Sequence, residues 1–213
     1  MIGLVSNEAE EYALKFTSED DGLLQTVNAD TLHMHHKAHM LCGNVVGGFL
    51  TIMSRSVKAE KILEIGTFTG YSALCLAKGL QSGGVVHTIE LREADATVAK
   101  SYFEQSVYKK NIILHVGDAK QIIPGLKEEW DIVFIDADKT GYIDYYELVL
   151  PSVKQNGIII ADNVLFHGEV LEQTLRGKNA KAIDEFNNHV KNDQRVQQVL
   201  LTVRDGLLII QKL

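Results

Sequence analysis

The sequence is poor in the residues on which small disulfide-rich or zinc-stabilised proteins depend. Among its 213 residues only two are cysteines, Cys42 and Cys75, and no C-x-x-C spacing occurs. Disulfide frameworks and zinc ribbons need several cysteines at short, regular spacings, so both classes are excluded. Two cysteines in apolar, helix-like surroundings are instead typical of reduced thiols in the cytoplasm.

Proline and linker-like sequence are equally scarce. The two prolines, Pro124 and Pro151, stand at the ends of expected helices, and no serine- or proline-rich stretch, repeat or low-complexity tract interrupts the chain. We therefore expect one α/β domain over residues 1–213, with N-terminal helices and a lid over 1–58 and the core over 59–213.

Positive charge and long apolar runs are also lacking. The formal net charge is −7 at pH 7, which argues against a large binding surface for nucleic acid. No stretch approaches the roughly 20 apolar residues of a membrane-spanning helix, and the chain does not begin with the basic and apolar regions of a signal peptide. We expect a cytoplasmic protein that binds a small molecule and no membrane.

From Lys61 onward, apolar runs of strand length alternate with segments whose apolar residues recur at helical spacing. This alternation predicts an α/β fold with a Rossmann-like, doubly wound, seven-stranded sheet, mostly parallel. Arg204-Asp205-Gly206 between the last two strands is a hairpin signal, so the C-terminal pair should be antiparallel. The predicted strands are 62–65, 85–89, 112–116, 132–135, 158–161, 198–203 and 207–211, and the helices after Tyr71 include 93–106, 142–150 and 181–191.

Three helices are predicted before the sheet, over 7–16 with Asn7 as its cap, over 23–34 and over 47–54. Four histidines lie between the second and the third, within His33–Met40. His35 and His39 would share one helix face, so a zinc site stays open as an alternative. Since no H-E-x-x-H arrangement accompanies them, we favour a polar lid or interface segment that leads into a ligand pocket.

The stretch Lys61–Ser72 joins an apolar strand to a helix through a glycine turn, which forms the first ligand-binding crossover of a doubly wound sheet. Its pattern, Glu64-x-Gly66-x-x-x-Gly70, is not G-x-G-x-x-G, so the loop is not shaped around a pyrophosphate. Glu90 ends the next strand, where a carboxylate can accept both hydroxyl protons of a ribose. A turn without a ligand and an exposed strand-end glutamate are the alternatives. Gly117–Ala119 is either a contact for an adenine edge or a simple turn.

Two later apolar strands are each followed at once by carboxylate or amide residues. The carboxyl ends of neighbouring strands converge on one crevice, so Asp136, Asp162 and Asn163 should face a single point. Oxygen ligands without sulfur or imidazole suit Mg²⁺, Mn²⁺ or Ca²⁺ rather than zinc. The alternative is that Asp162 and Asn163 cap a turn while Asp136 faces solvent.

Lys139 follows Asp136 by three residues. A nearby divalent cation and partial burial would both favour its neutral form, so we expect it to act as general base toward an acidified hydroxyl. The alternative is an ordinary surface lysine.

With these motifs assembled, the chain resembles the cation-dependent O-methyltransferases, the family of catechol O-methyltransferase and caffeoyl-CoA O-methyltransferase, and within it the small bacterial and plant caffeoyl-CoA branch. The motifs that carry the resemblance are Glu64–Ser72, Phe134–Tyr142 and Ala161–Gly168. The resemblance implies S-adenosylmethionine and Mg²⁺ (or Mn²⁺ or Ca²⁺) as cofactors, a catechol, caffeoyl or flavonoid substrate with adjacent hydroxyls, and a homodimer.

The resemblance also implies roles for individual residues. Cofactor contacts would come from Met40, Cys42, Glu64, Gly66, Thr67, Phe68, Ser72, Glu90, Ala119, Asp136 and Asp138; metal ligands would be Asp136, Asp162 and Asn163; Lys139, Asp136 and Asn163 would be catalytic; Lys139 and His167 would contact substrate.

The chain departs from the family pattern at two points. Leu41-Cys42-Gly43 replaces the hydroxyl residues that the plant branch has after the Met40 position, so a side-chain contact is lost there. The acidic residue with which the catechol enzyme holds the second hydroxyl has no match before Asp205, because 199–203 is mostly apolar. Three alternatives stay open: methylation of 5-hydroxyuridine in transfer RNA, an NAD-dependent reductase, and a non-catalytic nucleotide-binding domain.

Overall fold

The computed structural model describes residues 4–213, and residues 1–3, the beginning of the predicted segment 1–58, lie outside the described residues. Seven strands form one sheet in the order β3-β2-β1-β4-β5-β7-β6. The strands are β1 (Lys61–Ile65), β2 (Val85–Glu90), β3 (Ile112–Val116), β4 (Trp130–Ile135), β5 (Val153–Asp162), β6 (Val196–Leu201) and β7 (Leu207–Lys212). The helices are α1 (Asn7–Lys15), α2 (Gly22–Met34), α3 (Gly43–Ser56), α4 (Tyr71–Gly79), α5 (Glu93–Gln105), α6 (Ala119–Ile122), α7 (Tyr142–Val149) and α8 (Lys178–Lys191).

The pairing of the strands confirms the predicted fold class. β1 to β5 pair in parallel, whereas β7 runs antiparallel to both β5 and β6. The parallel strands end at one edge of the sheet, and the turn between β6 and β7 returns to that same edge, beside the end of β5. Residues distant in sequence are therefore gathered around one crevice.

Strand residues alternate between two cores because successive side chains point to opposite faces of a sheet. On β1, Ile62 packs into a core formed with α2 to α5, whereas Leu63 and Ile65 pack into a second core with α7 and α8. The central strands are apolar on both faces over 132–135 and 158–161, as expected of parallel strands covered by helices. Among residues 4–213, no helix is both long and apolar enough to cross a membrane.

The predicted helices and strands are all found. Their boundaries differ from the predicted ones where polar or glycine residues stand at the ends. α1 begins at Asn7 as predicted, but its cap is Ser6, whose side chain accepts a hydrogen bond from the backbone N–H of Ala9. α3 begins at Gly43 rather than at residue 47. The short helix α6, after Asp118, was not predicted.

The predicted pairing of His35 with His39 on one helix face is wrong. α2 ends at Met34, and His35 has extended backbone angles, φ −98° and ψ 122°. A separate 3₁₀ turn, Ala38–Met40, holds His39. The two imidazoles therefore belong to different elements, and the geometric argument for a shared zinc ion no longer applies.

Candidate active site

A cavity of about 780 Å³ opens at the carboxyl ends of the parallel strands. Its volume falls within the range of roughly 300–1,000 Å³ that is usual for small-molecule sites. Every cofactor residue predicted from the sequence lines it except Glu64: Met40, Cys42, Gly66, Thr67, Phe68, Ser72, Glu90, Ala119, Asp136 and Asp138. Asp162, Asn163, Lys139 and His167 line the same cavity.

Gly66 allows the loop after β1 to press against the end of β4. Its φ is +103°, and a Cβ atom there would lie 2.2 Å from the carbonyl oxygen of Asp136. Its N–H donates to the carbonyl of Ile89 at 2.9 Å. The loop is thus wedged between β2 and β4, and its backbone forms the floor of the cavity with no side chain in the way.

Glu64 lies beneath that floor. It belongs to β1 itself, on the same face as Ile62, so its side chain points under the start of α4 and is fully buried. Thr88 donates a hydrogen bond to Oε2, while Oε1 has no hydrogen-bond partner among residues 4–213. Burial, opposed by the Ser72 and Thr88 hydroxyls, raises the pKa of Glu64 to about 8. Glu64 does not line the cavity, and its expected contact with the cofactor stays a prediction.

Glu90 is held rigidly at the end of β2. Its Oε2 accepts a hydrogen bond from the backbone N–H of Phe68 at 2.7 Å, and its Oε1 accepts from Arg92, through the backbone N–H at 3.0 Å and through Nε at 3.2 Å. The Arg92 guanidinium also pairs with Asp95 at 2.8 Å and lies over the Phe68 ring, 5.6 Å from its centroid. A carboxylate oxygen accepts about two hydrogen bonds, so Oε2 can take a ligand hydroxyl as well.

The predicted metal ligands meet at the ends of β4 and β5. These strands pair in parallel with Ile135 opposite Ala161. Asp136 and Asp162 are the next residue on each strand, so they lie side by side at this edge of the sheet. Asn163 comes next, with a left-handed φ of 56°, and its N–H donates to Asp162 Oδ1 at 2.6 Å. Burial and the facing Asp136 raise the pKa of Asp162 to about 7.

This donor set fits a hard divalent cation. Two carboxylates held close together in a buried corner repel each other, and a cation between them would relieve that repulsion. The third side chain offers an amide oxygen, which Mg²⁺ and Ca²⁺ accept and zinc rarely uses. No cluster of three or more His, Cys, Asp or Glu side chains suited to a metal occurs within residues 4–213, so a metal in this corner depends on Asn163.

Lys139 is tied down beside Asp136. Its Nζ donates to Asp136 Oδ1 at 3.0 Å and to the Tyr142 hydroxyl at 2.7 Å. Burial alone disfavours the ammonium, but the facing Tyr142 and Asp136 outweigh it, and the pKa of Lys139 is raised. The sequence did not show these two partners. The neutral lysine expected beside a bound cation stays a prediction.

The histidine segment forms one wall of the cavity. His35 Nε2 lies 3.0 Å from Asp95 Oδ1, and its Nδ1 accepts from the backbone N–H of Lys37 at 3.1 Å, so Nε2 carries the proton. The edge of its ring meets Phe68 at a centroid distance of 4.6 Å. His39 and Met40 line the cavity, which agrees with the predicted segment leading into a pocket.

The turn between β6 and β7 closes the opposite side. Arg204 Nη1 donates to the carbonyl of Leu41 at 3.0 Å, and Asp205 Oδ1 accepts from the backbone N–H of His167 at 2.5 Å. In the sequence these residues signalled only a hairpin. Arg92, Tyr142, Arg204 and Asp205 are site residues that the sequence argument missed, since their roles depend on contacts across the fold.

Comparison with known proteins agrees with this geometry. A family model described as O-methyltransferase matches residues 15–213. The mouse catechol O-methyltransferase domain-containing protein 1 is 34% identical over 77% of this chain and 64% of its own length, so the match leaves a third of that protein uncovered. The probable caffeoyl-CoA O-methyltransferase 2 of Dictyostelium discoideum is 33% identical over 78% of this chain and 74% of its own length.

Among solved structures, the O-methyltransferase from Bacillus cereus in complex with SAH superposes with a TM-score of 0.85 and 30% identity, covering 97% of both chains. The matched region contains the glycine floor, the strand-end carboxylates and the closing hairpin. The chain belongs to the O-methyltransferase family.

Proposed function

We propose that the protein transfers a methyl group from S-adenosylmethionine to one oxygen of a small molecule with adjacent phenolic hydroxyls, and that it needs a divalent cation to do so. The proposal is supported above all by one observation: the cluster Asp136, Asp162 and Asn163 lines the same cavity as the glycine floor. A site for a hard cation beside a nucleotide-like pocket suits methyl transfer to a chelating pair of oxygens.

The cofactor is supported by the fit of the cavity. Gly66 keeps the floor open, and Glu90 presents a fixed carboxylate whose Oε2 can accept a hydrogen bond from a ribose hydroxyl. The Bacillus cereus relative is described in complex with SAH, the product that such a transfer leaves. In this chain S-adenosylmethionine would supply an activated methyl group on a sulfonium, so the protein's task is chiefly to position the acceptor and to balance charge.

The substrate class is supported by the relatives and by the donor set. The mouse relative carries the catechol name and the Dictyostelium relative the caffeoyl-CoA name. A bound divalent cation would acidify an adjacent hydroxyl. Asp136, Asp162 and Asn163 would hold that cation, and Lys139, already paired with Asp136, would supply fixed positive charge near the acceptor oxygen.

Chelation and substitution test this proposal together. We expect EDTA to abolish methylation of catechol or caffeic acid, and Mg²⁺ to restore it. Asp162→Ala and Asn163→Ala should lower turnover by far more than they weaken cofactor binding, measured by calorimetry. Asp144→Asn is the matched control, because Asp144 pairs with Lys120 outside the cavity. Full activity in EDTA would reject cation dependence, and methylation of transfer RNA but of no phenol would reject the substrate class.

We also propose a homodimer formed through the N-terminal helices. Large apolar side chains are exposed there, among them Tyr12, Phe16, Leu32, Met34 and Ile52. Large apolar side chains that stay exposed are typical of a surface that another protein chain covers. Light scattering after size-exclusion chromatography measures the mass, and a monomer at micromolar concentration would contradict the dimer.

A further inference from the structure

Arg204 occupies a backbone position that favours glycine. It stands in the turn between β6 and β7 with a φ of 48°, and the turn is closed by the N–H of Gly206, which donates to the carbonyl of Val203 at 2.9 Å. A left-handed residue with a Cβ atom is unfavourable, and such strain concentrates at functional sites. A long, charged side chain at this position suggests a role in the cavity that it lines.

The turn is fixed beside the predicted metal ligands. The N–H of Val164, in the loop after β5, donates to the carbonyl of Gly206 at 3.2 Å. Leu207, the first residue of β7, pairs with Asp162, the last residue of β5. Arg204 comes just before this pair in the chain, so its backbone lies next to the place where a chelated acceptor would bind.

The Arg204 side chain extends from there to another wall of the cavity. Its Nη1 donates to the carbonyl of Leu41 at 3.0 Å, and a Cβ atom added at Gly43 would lie 2.9 Å from the same nitrogen. The side chain is half-buried and lines the cavity. The guanidinium is thus held between the loop of the predicted metal ligands and the start of α3.

The Cys42 thiol shows that this charge lies near the predicted metal ligands. Cys42 is buried and lines the cavity. Burial raises the pKa of its thiol, the carboxylates of Asp162 and Asp136 raise that pKa further, and the Arg204 guanidinium opposes them. Electrostatic effects weaken with distance, so the guanidinium and the two carboxylates all lie close to one thiol.

The guanidinium has donors that the protein leaves unused. Arginine stays protonated and has five N–H donors, whereas the hydrogen bond that Arg204 makes within residues 4–213 goes to a neutral carbonyl. The adjacent carboxylate, Asp205, accepts from the backbone N–H of His167 at 2.5 Å, a residue that is itself left-handed with a φ of 55°. Lys37 and Lys178 also line the cavity, but both are exposed. Arg204 is therefore able to pair with an anionic ligand from a fixed position.

We propose that Arg204 binds a carboxylate of the acceptor and so makes dihydroxyphenyl acids the preferred substrates, an inference that rests on the proposed methyl transfer. A planar guanidinium presents parallel N–H donors that match the two oxygens of a carboxylate. The adjacent hydroxyls would lie at the predicted metal ligands, and the acid group would lie toward the wall at Leu41. A neutral acceptor would make the first contact only.

Matched acids and amides test this specificity. 3,4-Dihydroxybenzoate, 3,4-dihydroxyphenylacetate and caffeate place the carboxylate at increasing distance from the hydroxyls, and the primary amide of each acid is neutral and similar in shape. With Mg²⁺ and saturating S-adenosylmethionine, we expect the wild type to have a higher kcat/KM for an acid than for its amide. Arg204→Gln should lower kcat/KM on the preferred acid by about 10- to 100-fold, the usual effect of losing a hydrogen bond between charged groups, and on its amide by less than about threefold.

Two further variants separate the charge from the geometry and from the fold. Arg204→Lys keeps the charge but not the parallel donors, so it should retain a preference for the acid that is smaller than in the wild type. Arg55→Gln is the matched control, because Arg55 is exposed on α3, donates to the carbonyl of Lys78 at 3.4 Å and does not line the cavity. It removes the same charge and should leave the acid-to-amide ratio unchanged.

The outcomes are distinct. Each acceptor keeps its own hydroxyl acidity in every variant, so a change in the acid-to-amide ratio reports the carboxylate contact. A ratio that stays at the wild-type value in Arg204→Gln, with or without equal losses on both acceptors, would overturn the proposal, and so would a wild type that prefers none of the acids. A wild type that binds S-adenosylmethionine but methylates none of these acceptors would overturn the proposed function, and the substrate class named here with it. Thermal unfolding of each variant confirms that folded proteins are being compared.

Discussion

Replacing Gly66 with alanine should destabilise the protein for two separable reasons. The residue has φ +103°, and the added Cβ would lie 2.2 Å from the carbonyl oxygen of Asp136 and 2.8 Å from its carbon. Both are backbone atoms at the end of β4, where the Asp136 N–H is bonded to the carbonyl of Ile65 at 2.9 Å. Neither atom can retreat without loosening the centre of the sheet.

Two other glycines allow strain and steric clash to be measured apart. Gly83 has a similar φ of +82°, but its Cβ would meet nothing within 4 Å, so Gly83→Ala reports strain alone. Gly22, the first residue of α2, has open space and no left-handed angle, so Gly22→Ala reports neither. Backbone strain costs about 1–3 kcal/mol, and overpacking adds about 1–3 kcal/mol.

Thermal unfolding converts these energies into melting temperatures. In a protein of this size each 1 kcal/mol lowers Tm by about 2–4 °C. Gly83→Ala should then lose about 2–12 °C and Gly66→Ala about 4–24 °C, while Gly22→Ala stays level or gains slightly. Gly66→Ala should also lose cofactor binding in calorimetry, because the floor must shift. If Gly66→Ala had the same Tm as Gly83→Ala, the steric argument would be refuted.

Three further substitutions follow from the site. Glu64→Gln removes a carboxyl group whose pKa in the folded protein, about 8, lies above its ordinary value of 4.5. Between these two pH values the folded wild type holds a proton that the unfolded chain has lost. The Tm of the wild type should therefore fall relative to that of the variant from pH 5 to 8 and then level off. Arg204→Ala loses the bond to Leu41, so Tm should drop by about 2–4 °C, for about 1 kcal/mol, and cofactor affinity should weaken. Lys139→Met removes the group that donates to Asp136 and Tyr142, so turnover of catechol should fall while cofactor affinity changes less.

Each of these has a clear contrary result. A Tm difference for Glu64→Gln that stays constant from pH 5 to 9 would mean that the buried carboxyl is already ionised. An Arg204→Ala variant with wild-type cofactor affinity would mean that the cavity wall at Leu41 keeps its position without the hydrogen bond from Arg204. Wild-type turnover of catechol in Lys139→Met would mean that this lysine takes no part in the reaction.

The sequence was informative wherever a local pattern decided the structure. Apolar runs such as Ile132–Ile135 predicted their strands because a parallel strand buried on both faces leaves no other pattern. The strand-end acids Asp136 and Asp162 could be paired because parallel order forces neighbouring carboxyl ends together. These are consequences of topology, and topology follows from the alternation of strand and helix.

Other features depend on contacts that no local pattern contains. α3 begins at Gly43, which has a φ of +76° and lies beside Arg204, whose Nη1 an added Cβ would meet at 2.9 Å. Glu64 was expected at the cofactor from the family resemblance, and its full burial away from the cavity wall depends on the packing around β1 rather than on the motif. The His167–Asp205 pair joins a strained loop to a hairpin, and neither sequence segment indicates the other.

The position of β7 between β5 and β6 has a consequence for biosynthesis. β7 completes the sheet and follows the other six described strands along the chain, so it leaves the ribosome after them, and the turn that delivers Arg204 and Asp205 precedes it directly. A nascent chain paused before residue 207 can form the parallel strands, but it has an open edge at β5 and a pocket without its final wall. Competence to bind ligand should therefore arise in one late step, when the hairpin docks.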